Sequence, residues 1–159
     1  MSVDPDRFRS LLSRFASGVT VLSLRDAAGR DHGMTVSAFC SVSLEPPLVL
    51  ACVDRAASMH DLLLASDGPL GVSILSLAQE PLSRHFADAD AERWAGVPMV
   101  RGESGVPLVA GAIAHLECRI VDRHPAGDHT ILIARVERGE LGEGGPLVYF
   151  RGGYADLQR

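Results

Sequence analysis

The sequence predicts one mostly β domain: a small antiparallel barrel with a helix at its N-terminus and short helices on its flanks. Three observations lead there. From Val19 onward apolar residues recur chiefly at every second position, the period of a strand. The runs are short and separated by Gly, Pro and Asp turns, so most neighbours are joined as hairpins. No GxGxxG follows a strand, which leaves a parallel dinucleotide fold without its signature. At 159 residues and 47% hydrophobic, the whole chain (1–159) reads as a single domain with a real core.

Taken in order, the elements justify that class. Asp4 caps a helix, Pro5 suits its first position, and Gly18 stops it. Phe8, Leu11, Leu12 and Phe15 make its apolar stripe. VTVLSL (19–24), the turn DAAGRDHG and a strand from Met34 to Leu44 form a hairpin. Read as one strand, 34–44 puts Met34, Val36, Ala38, Cys40, Val42 and Leu44 on an apolar face. Thr35, Ser37, Phe39, Ser41 and Ser43 take the other, a row of hydroxyls around one aromatic. EPPLVLACV (45–53) is apolar enough for a strand covered on both faces. ASMHDLLLAS (57–66) is a short helix with Ser58 as its cap, PLGVSIL (69–75) a strand, and SLAQEPLSRHFAD (76–88) a helix interrupted near Pro81. Residues 88–107, with the only Trp, read as loop. GAIAHLECRIVD (111–122) and HTILIARVERGEL (129–141) make a long hairpin, and LVYFRGGY (147–154) is the last strand.

Composition narrows function. Net charge is −5 with no basic run, which disfavours nucleic acid as a partner. No apolar run is long enough to span a bilayer, and the acidic N-terminus lacks a signal-peptide core, so a soluble cytoplasmic protein without membrane contact is expected. Cys40, Cys52 and Cys118 are widely spaced in apolar runs and read as buried reduced thiols. The six histidines show no HxxxH or HExxH spacing, so no metal site is expected. All fifteen basic residues are arginine, so a phosphate would be held by Arg, hydroxyls or backbone N–H groups.

Three stretches carry chemistry. Thr35, Ser37 and Ser41 offer compact uncharged donors and acceptors suited to a planar, polar-edged ligand, although Thr and Ser are also ordinary strand residues. In DRAAS (54–58) Ser58 would open a helix N-terminus, an anion site with Arg55 beside it, or simply a helix cap. LSRHFA adds Ser83 and Arg84. In GDH (127–129), Gly127 and Asp128 are turn residues and His129 begins a strand, at an edge or at a substrate-binding rim. Asp128 and His129 would point to opposite faces, a poor start for a triad, and no Ser lies in a GxSxG elbow.

Six pieces in order resemble the flavin reductase family with the split-barrel FMN-binding fold, the reductase components of two-component flavin-dependent monooxygenases. They are ASGVTVLS, GMTVSAFCSVSLEPPLVLACVDR, PLSRHFA, GVPLVAGAIAHLEC, GDHTILIARV and PLVYFRGGY. The resemblance implies an NAD(P)H:flavin oxidoreductase passing hydride from NADH or NADPH to FMN or FAD. It sets Thr35, Val36, Ser37 and Ala38 along the flavin ring, Ser41 toward the ribityl or phosphate region, and Ala51, Cys52 and Val53 against the ring or ribityl chain through backbone. Arg55, Ser58 and Arg84 would take the phosphate, and Phe86 would pack near the flavin. Gly127, Asp128 and His129 would lie at the nicotinamide, and Tyr154 would close the pocket. Relatives often carry Asn or Ser where this chain has Ser37-Ala38, and Phe where it has Trp94. A homodimer and a monooxygenase partner are implied. Without an accessible nicotinamide face, the same seat would make a flavin carrier or sensor instead.

Overall fold

The architecture is that of a computed structural model, which describes residues 2–88 and 93–158. Helix α1 (Pro5–Leu12) starts as expected, with the Asp4 carboxylate accepting the Arg7 N–H at 2.9 Å. It ends well before Gly18. The Ser13 hydroxyl donates back to the Ser10 carbonyl, and the Ser13 carbonyl accepts the Arg151 N–H at 2.8 Å. Gly18 already belongs to strand β1 (Ser17–Gly18).

The chain continues through β2 (Thr20–Arg25), β3 (Asp31–Val36), β4 (Phe39–Leu44), β5 (Pro47–Asp54), α2 (His60–Ala65) and β6 (Pro69–Ile74). A 3₁₀ turn at Leu77–Gln79 then leads into α3 (Glu80–Ala87). Pro81 sits in the first turn of α3, where a missing N–H costs nothing, so it begins the helix rather than interrupting it. After α3 come β7 (Met99–Arg101), β8 (Pro107–Val109), β9 (Ala114–Ala126), β10 (His129–Leu141), β11 (Val148–Phe150) and β12 (Gly153–Ala155). The stretch expected to be loop, 88–107, therefore holds β7 and the start of β8; its residues 89–92 lie outside the described residues. The expected last strand is two, folded at Arg151 and Gly152, both at positive φ.

Seven strands form one antiparallel sheet in the order β3-β2-β6-β9-β10-β5-β4. Its edge strands β3 and β4 are joined by two residues only, Ser37 and Ala38. The sheet therefore rolls until β3 comes near β5, and the Cys52 N–H on the Ala38 carbonyl at 2.9 Å carries the β4–β5 ladder into the corner. This is a split β-barrel, open along the β3/β4 seam. The single strand expected over 34–44 is corrected to two strands on opposite edges. Alternation runs through the corner unbroken because Ser37 and Ala38 are small and exposed.

The barrel interior is filled by Leu22, Leu24, Val36, Ala51, Val53, Leu70, Val72, Cys118, Leu132 and Ala134. Each large aliphatic side chain there contributes about 1.5–3 kcal/mol. Strand β5 covers that interior with Ala51 and Val53, and Val49 packs against it half-buried. Its other face is half-buried, not covered as its composition suggests. A second core lies outside the barrel wall, where α3 and the β1-β11-β12 sheet cover Val19, Val21, Leu75, Phe86, Val109 and Leu147. Gly33 makes this packing possible, since a Cβ there would stand 2.7 Å from a ring carbon of Phe86. Among the described residues no helix is long and apolar enough to cross a membrane.

Candidate active site

The rolled corner brings four segments together: the end of β3, the C-terminal half of α3, residues 54–58 after β5, and the start of β10. Two cavities adjoin there. One, of about 240 Å³, is lined by Thr35, Ser58, Phe86 and Arg93 among others. The other, of about 220 Å³, is lined by Thr35, Ser37, Ser83, Tyr149 and Tyr154. Thr35 and Ala87 belong to both, so the two form one bent groove.

Arg93 builds the first cavity. Its guanidinium donates to the Gly33 carbonyl at 2.6 Å, to the Phe86 carbonyl at 3.1 Å and to the Ser58 hydroxyl at 3.4 Å. One side chain thus ties β3, α3 and the 54–58 segment. In the second cavity the Thr35 hydroxyl donates to the Ser83 carbonyl at 2.6 Å. The buried Ser83 hydroxyl lies 2.6 Å from the Tyr154 phenol.

Residues 54–58 form a turn held by the Asp54 carboxylate, which accepts the Ala56 N–H at 2.8 Å. Ser58 does not cap α2. The helix begins at His60, Met59 stands at the capping position, and no side chain caps it. The expected helix-terminus anion site is therefore corrected to a serine hydroxyl facing Arg93. Arg55 is exposed, and its N–H binds the Asp128 carbonyl at 2.9 Å. Arg84 does not line the Ser58 cavity. It pairs with Glu80 at 2.8 Å and stacks on the Tyr154 ring at 4.9 Å.

His129 pairs with Asp54 in the β10–β5 register. Its Nδ1 donates to the Asp128 carboxylate at 2.7 Å, and this bond holds the Asp128 carboxyl below its ordinary pKa. The expectation that these neighbours point apart is corrected. Asp128 lies in the turn, after Gly127 at φ 64°, so strand alternation does not govern it.

The remaining candidates divide by exposure. Ser37, Ala38 and Ser41 are exposed at or beside the corner, and Cys52 is half-buried. Val36, Ala51 and Val53 point into the barrel and can reach a ligand only through backbone. Phe86 is fully buried, edge-on to Trp94 with ring centroids 4.9 Å apart, and forms a fixed floor. Cys40 is exposed, which corrects the expectation of three buried thiols. Burial raises the pKa of Cys52 and pushes that of Cys118 up to about 12.

The donor chemistry of the groove fits a flavin nucleotide. Its walls hold hydroxyls, two tyrosines and Arg93, with no carboxylate among the described residues. By contrast, another cavity, of about 420 Å³, is lined by Glu103, Glu117 and Glu140 as well as Arg101 and Arg138, and a further one by Asp26 and Asp67 as well as Arg25. In both of these the carboxylates oppose a phosphate and compete for the arginines, whereas Arg93 and Ser58 offer it donors. Arg93 lies in the stretch read as loop and was missed. Its one sequence signal is an arginine directly before the only Trp, in a chain without lysine.

Comparison with known proteins agrees with this geometry. Residues 12–158 match the model of the flavin reductase like domain. The chain is 46% identical to an NADH-dependent flavin reductase of Rhodococcus, covering 98% of this chain and 88% of the relative. It is 44% identical to the reductase component of 4-hydroxyphenylacetate 3-monooxygenase from Thermus thermophilus, over 96% of both. Among solved structures, the NADH:FAD oxidoreductase of Streptomyces globisporus, in complex with NAD and FAD fragments, superposes with a TM-score of 0.92 at 39% identity. That match covers 99% of this chain and 97% of the other. The chain belongs to the flavin reductase like family. It is an oxidoreductase, a nicotinamide-dependent flavin reductase.

Proposed function

We propose that this reductase uses NADH to reduce FAD at the corner of its barrel and that the product serves a flavin-dependent monooxygenase in the cytoplasm. The observation that carries the site assignment is the groove of hydroxyls and tyrosines with the Arg93 guanidinium and the Ser58 hydroxyl at one end. NADH and FAD are favoured by relatives named NADH-dependent flavin reductase and NADH-dependent FAD reductase, the second 46% identical over 84% of this chain. The monooxygenase partner is favoured by the relative from Thermus. Three free cysteines suit a reducing compartment.

Arg93 and Ser58 hold the flavin's first phosphate in this reading, with Arg55 and Arg84 close enough in sequence to act on the outer nucleotide. Thr35, Val36, Ser37, Ala38 and Ser41, with the backbone of Ala51, Cys52 and Val53, line the ring and ribityl chain. Tyr154 walls the far cavity. When bound, the flavin supplies the hydride-accepting chemistry and the nicotinamide the hydride. The chain's own contribution is to hold two planar rings in register and keep water from between them. His129 donates Nδ1–H to Asp128, which leaves its Nε2 to meet the nicotinamide carboxamide beside Gly127. The functional unit is a homodimer, without membrane contact.

The test is NADH oxidation by purified protein with FAD, FMN or neither added. Saturation with FAD at lower concentration than with FMN is expected, and no turnover with any flavin would reject the proposal. In the same assay His129→Ala is expected to raise the Michaelis constant for NADH about tenfold while moving that for FAD less than twofold. Equal rises would remove His129 from the nicotinamide.

A further inference from the structure

We infer that His60, which touches neither cavity, is a positioning residue for the nicotinamide side of the reaction, acting through Thr130 on His129. The inference rests on the proposed role of His129. His60 is 6% exposed and Thr130 is 4% exposed, and they meet in the interior with Nε2 and Oγ1 2.8 Å apart. The other ring nitrogen, Nδ1, lies 3.2 Å from an Asp61 carboxylate oxygen. A carboxylate only accepts, so Nδ1 carries the proton. In the neutral ring Nε2 then accepts from the Thr130 hydroxyl. Two buried polar groups satisfy each other here, and deleting one strands the other.

What this pair holds is the root of the nicotinamide hairpin. Thr130 and His129 are consecutive on β10, so one faces the interior and the other the outside. Fixing the depth and rotamer of Thr130 fixes the pleat from which His129 stands. Two more links tie the same tip to the same segment: the Arg55 N–H on the Asp128 carbonyl at 2.9 Å, and the Asp54–His129 register pair. All three partners, Asp54, Arg55 and His60, fall within seven residues that also include Ser58. The hairpin tip that carries the nicotinamide-side histidine is thereby held to the 54–60 segment at three points. Of its three links, only the His60–Thr130 bond is made by side chains alone and can be removed by substitution without touching backbone.

The flavin side has its own anchor in Arg93, bound to Gly33 and Phe86, so loosening the tip falls on NADH. Thr130→Val, which keeps shape and removes the hydroxyl, is expected to raise the Michaelis constant for NADH about three- to tenfold and leave that for FAD within twofold. Thr130→Ser keeps the hydroxyl and is expected to restore the wild-type ratio. His60→Gln, with an amide able to meet Thr130, is expected to fall between. A role confined to stability would lower the unfolding temperature and leave the ratio of the two constants unchanged. A His129→Ala, Thr130→Val double variant separates the two readings. If Thr130 acts through His129, adding Thr130→Val to His129→Ala changes the NADH constant less than twofold. Full additivity, or both constants moving together in Thr130→Val, overturns the positioning role while leaving His129 at the nicotinamide. If His129→Ala itself leaves the NADH constant unmoved, both readings fall.

Discussion

Arg93 shows how a single side chain decides where an anion can bind. Two of its donors are committed to the carbonyls of Gly33 and Phe86, which fixes the guanidinium plane, and its other nitrogen faces Ser58. A guanidinium held this way is ready for a phosphate before ligand arrives. Arg93→Ala is expected to weaken flavin binding about 10- to 100-fold, the range of one charge-assisted pair, measured by fluorescence quenching on titration with FAD. Arg93→Lys is expected to recover little, since a point charge does not span the same carbonyls. An unchanged dissociation constant in Arg93→Ala would move the phosphate elsewhere. Thr35 and Ser37, the half of the hydroxyl row that lines the groove, were legible in the sequence because side-chain type alone carries them. Arg93 was not, because its partners are chiefly backbone carbonyls of residues distant in the chain, and such contacts leave no periodic trace.

Elements were legible where periodicity and caps coincide, as in α1's start and the β9–β10 hairpin. They were misread where the chain turns a corner without a turn residue, as at Ser37-Ala38, or where a serine looks like a cap but the helix begins two residues later. Strand β9 also carries a buried carboxylate outside the site. Glu117, 8% exposed, accepts the N–H of Ser104 at 2.8 Å and the Ser104 hydroxyl, and so pins the 102–105 turn between β7 and β8 to the barrel. Gly102 leaves it room, since a Cβ there would collide with the carboxylate. Burial raises the Glu117 pKa, but the hydroxyl and N–H bonds from Ser104, together with the Glu103 N–H and the Arg138 charge, outweigh it and hold the group below its ordinary 4.5. The sign follows: a carboxyl with a depressed folded pKa contributes stability above its ordinary value and loses it as pH falls through the lowered one. Glu117→Gln keeps an acceptor for Ser104 and removes only the charge. It is expected to cost about 1 kcal/mol near neutral pH, with the difference from wild type shrinking as pH falls below about 4. Urea midpoints measured across that range check it, and a difference independent of pH would show that the charge plays no part.

At the scale of the whole molecule, the surface is too large for its mass. A monomer of 16.9 kDa is expected to expose about 7,700 Å², whereas this chain exposes 9430 Å². The surplus has an address. Helix α1 buries none of its eight residues, and the stripe of Phe8, Leu11 and Leu12 continues into Phe15, which is 82% exposed. On β4, Leu44 is 96% exposed and Val42 is 46% exposed. An eight-residue helix is too short to hold itself in water, so its stability must come from covering that stripe. The roll of the barrel gives the stripe no cover among the described residues of its own chain. A second copy would supply both surfaces at once, and an excess near 1,700 Å² falls in the range that an obligate two-fold dimer buries on each partner. The chain is therefore expected to sediment as a dimer at micromolar concentration. Leu12→Asp or Leu44→Asp, placing a charge in that apolar contact, is expected to shift it toward monomer without loss of β-sheet signal in circular dichroism. Wild-type protein sedimenting as a monomer at tens of micromolar would refute the dimer and leave α1 without a partner.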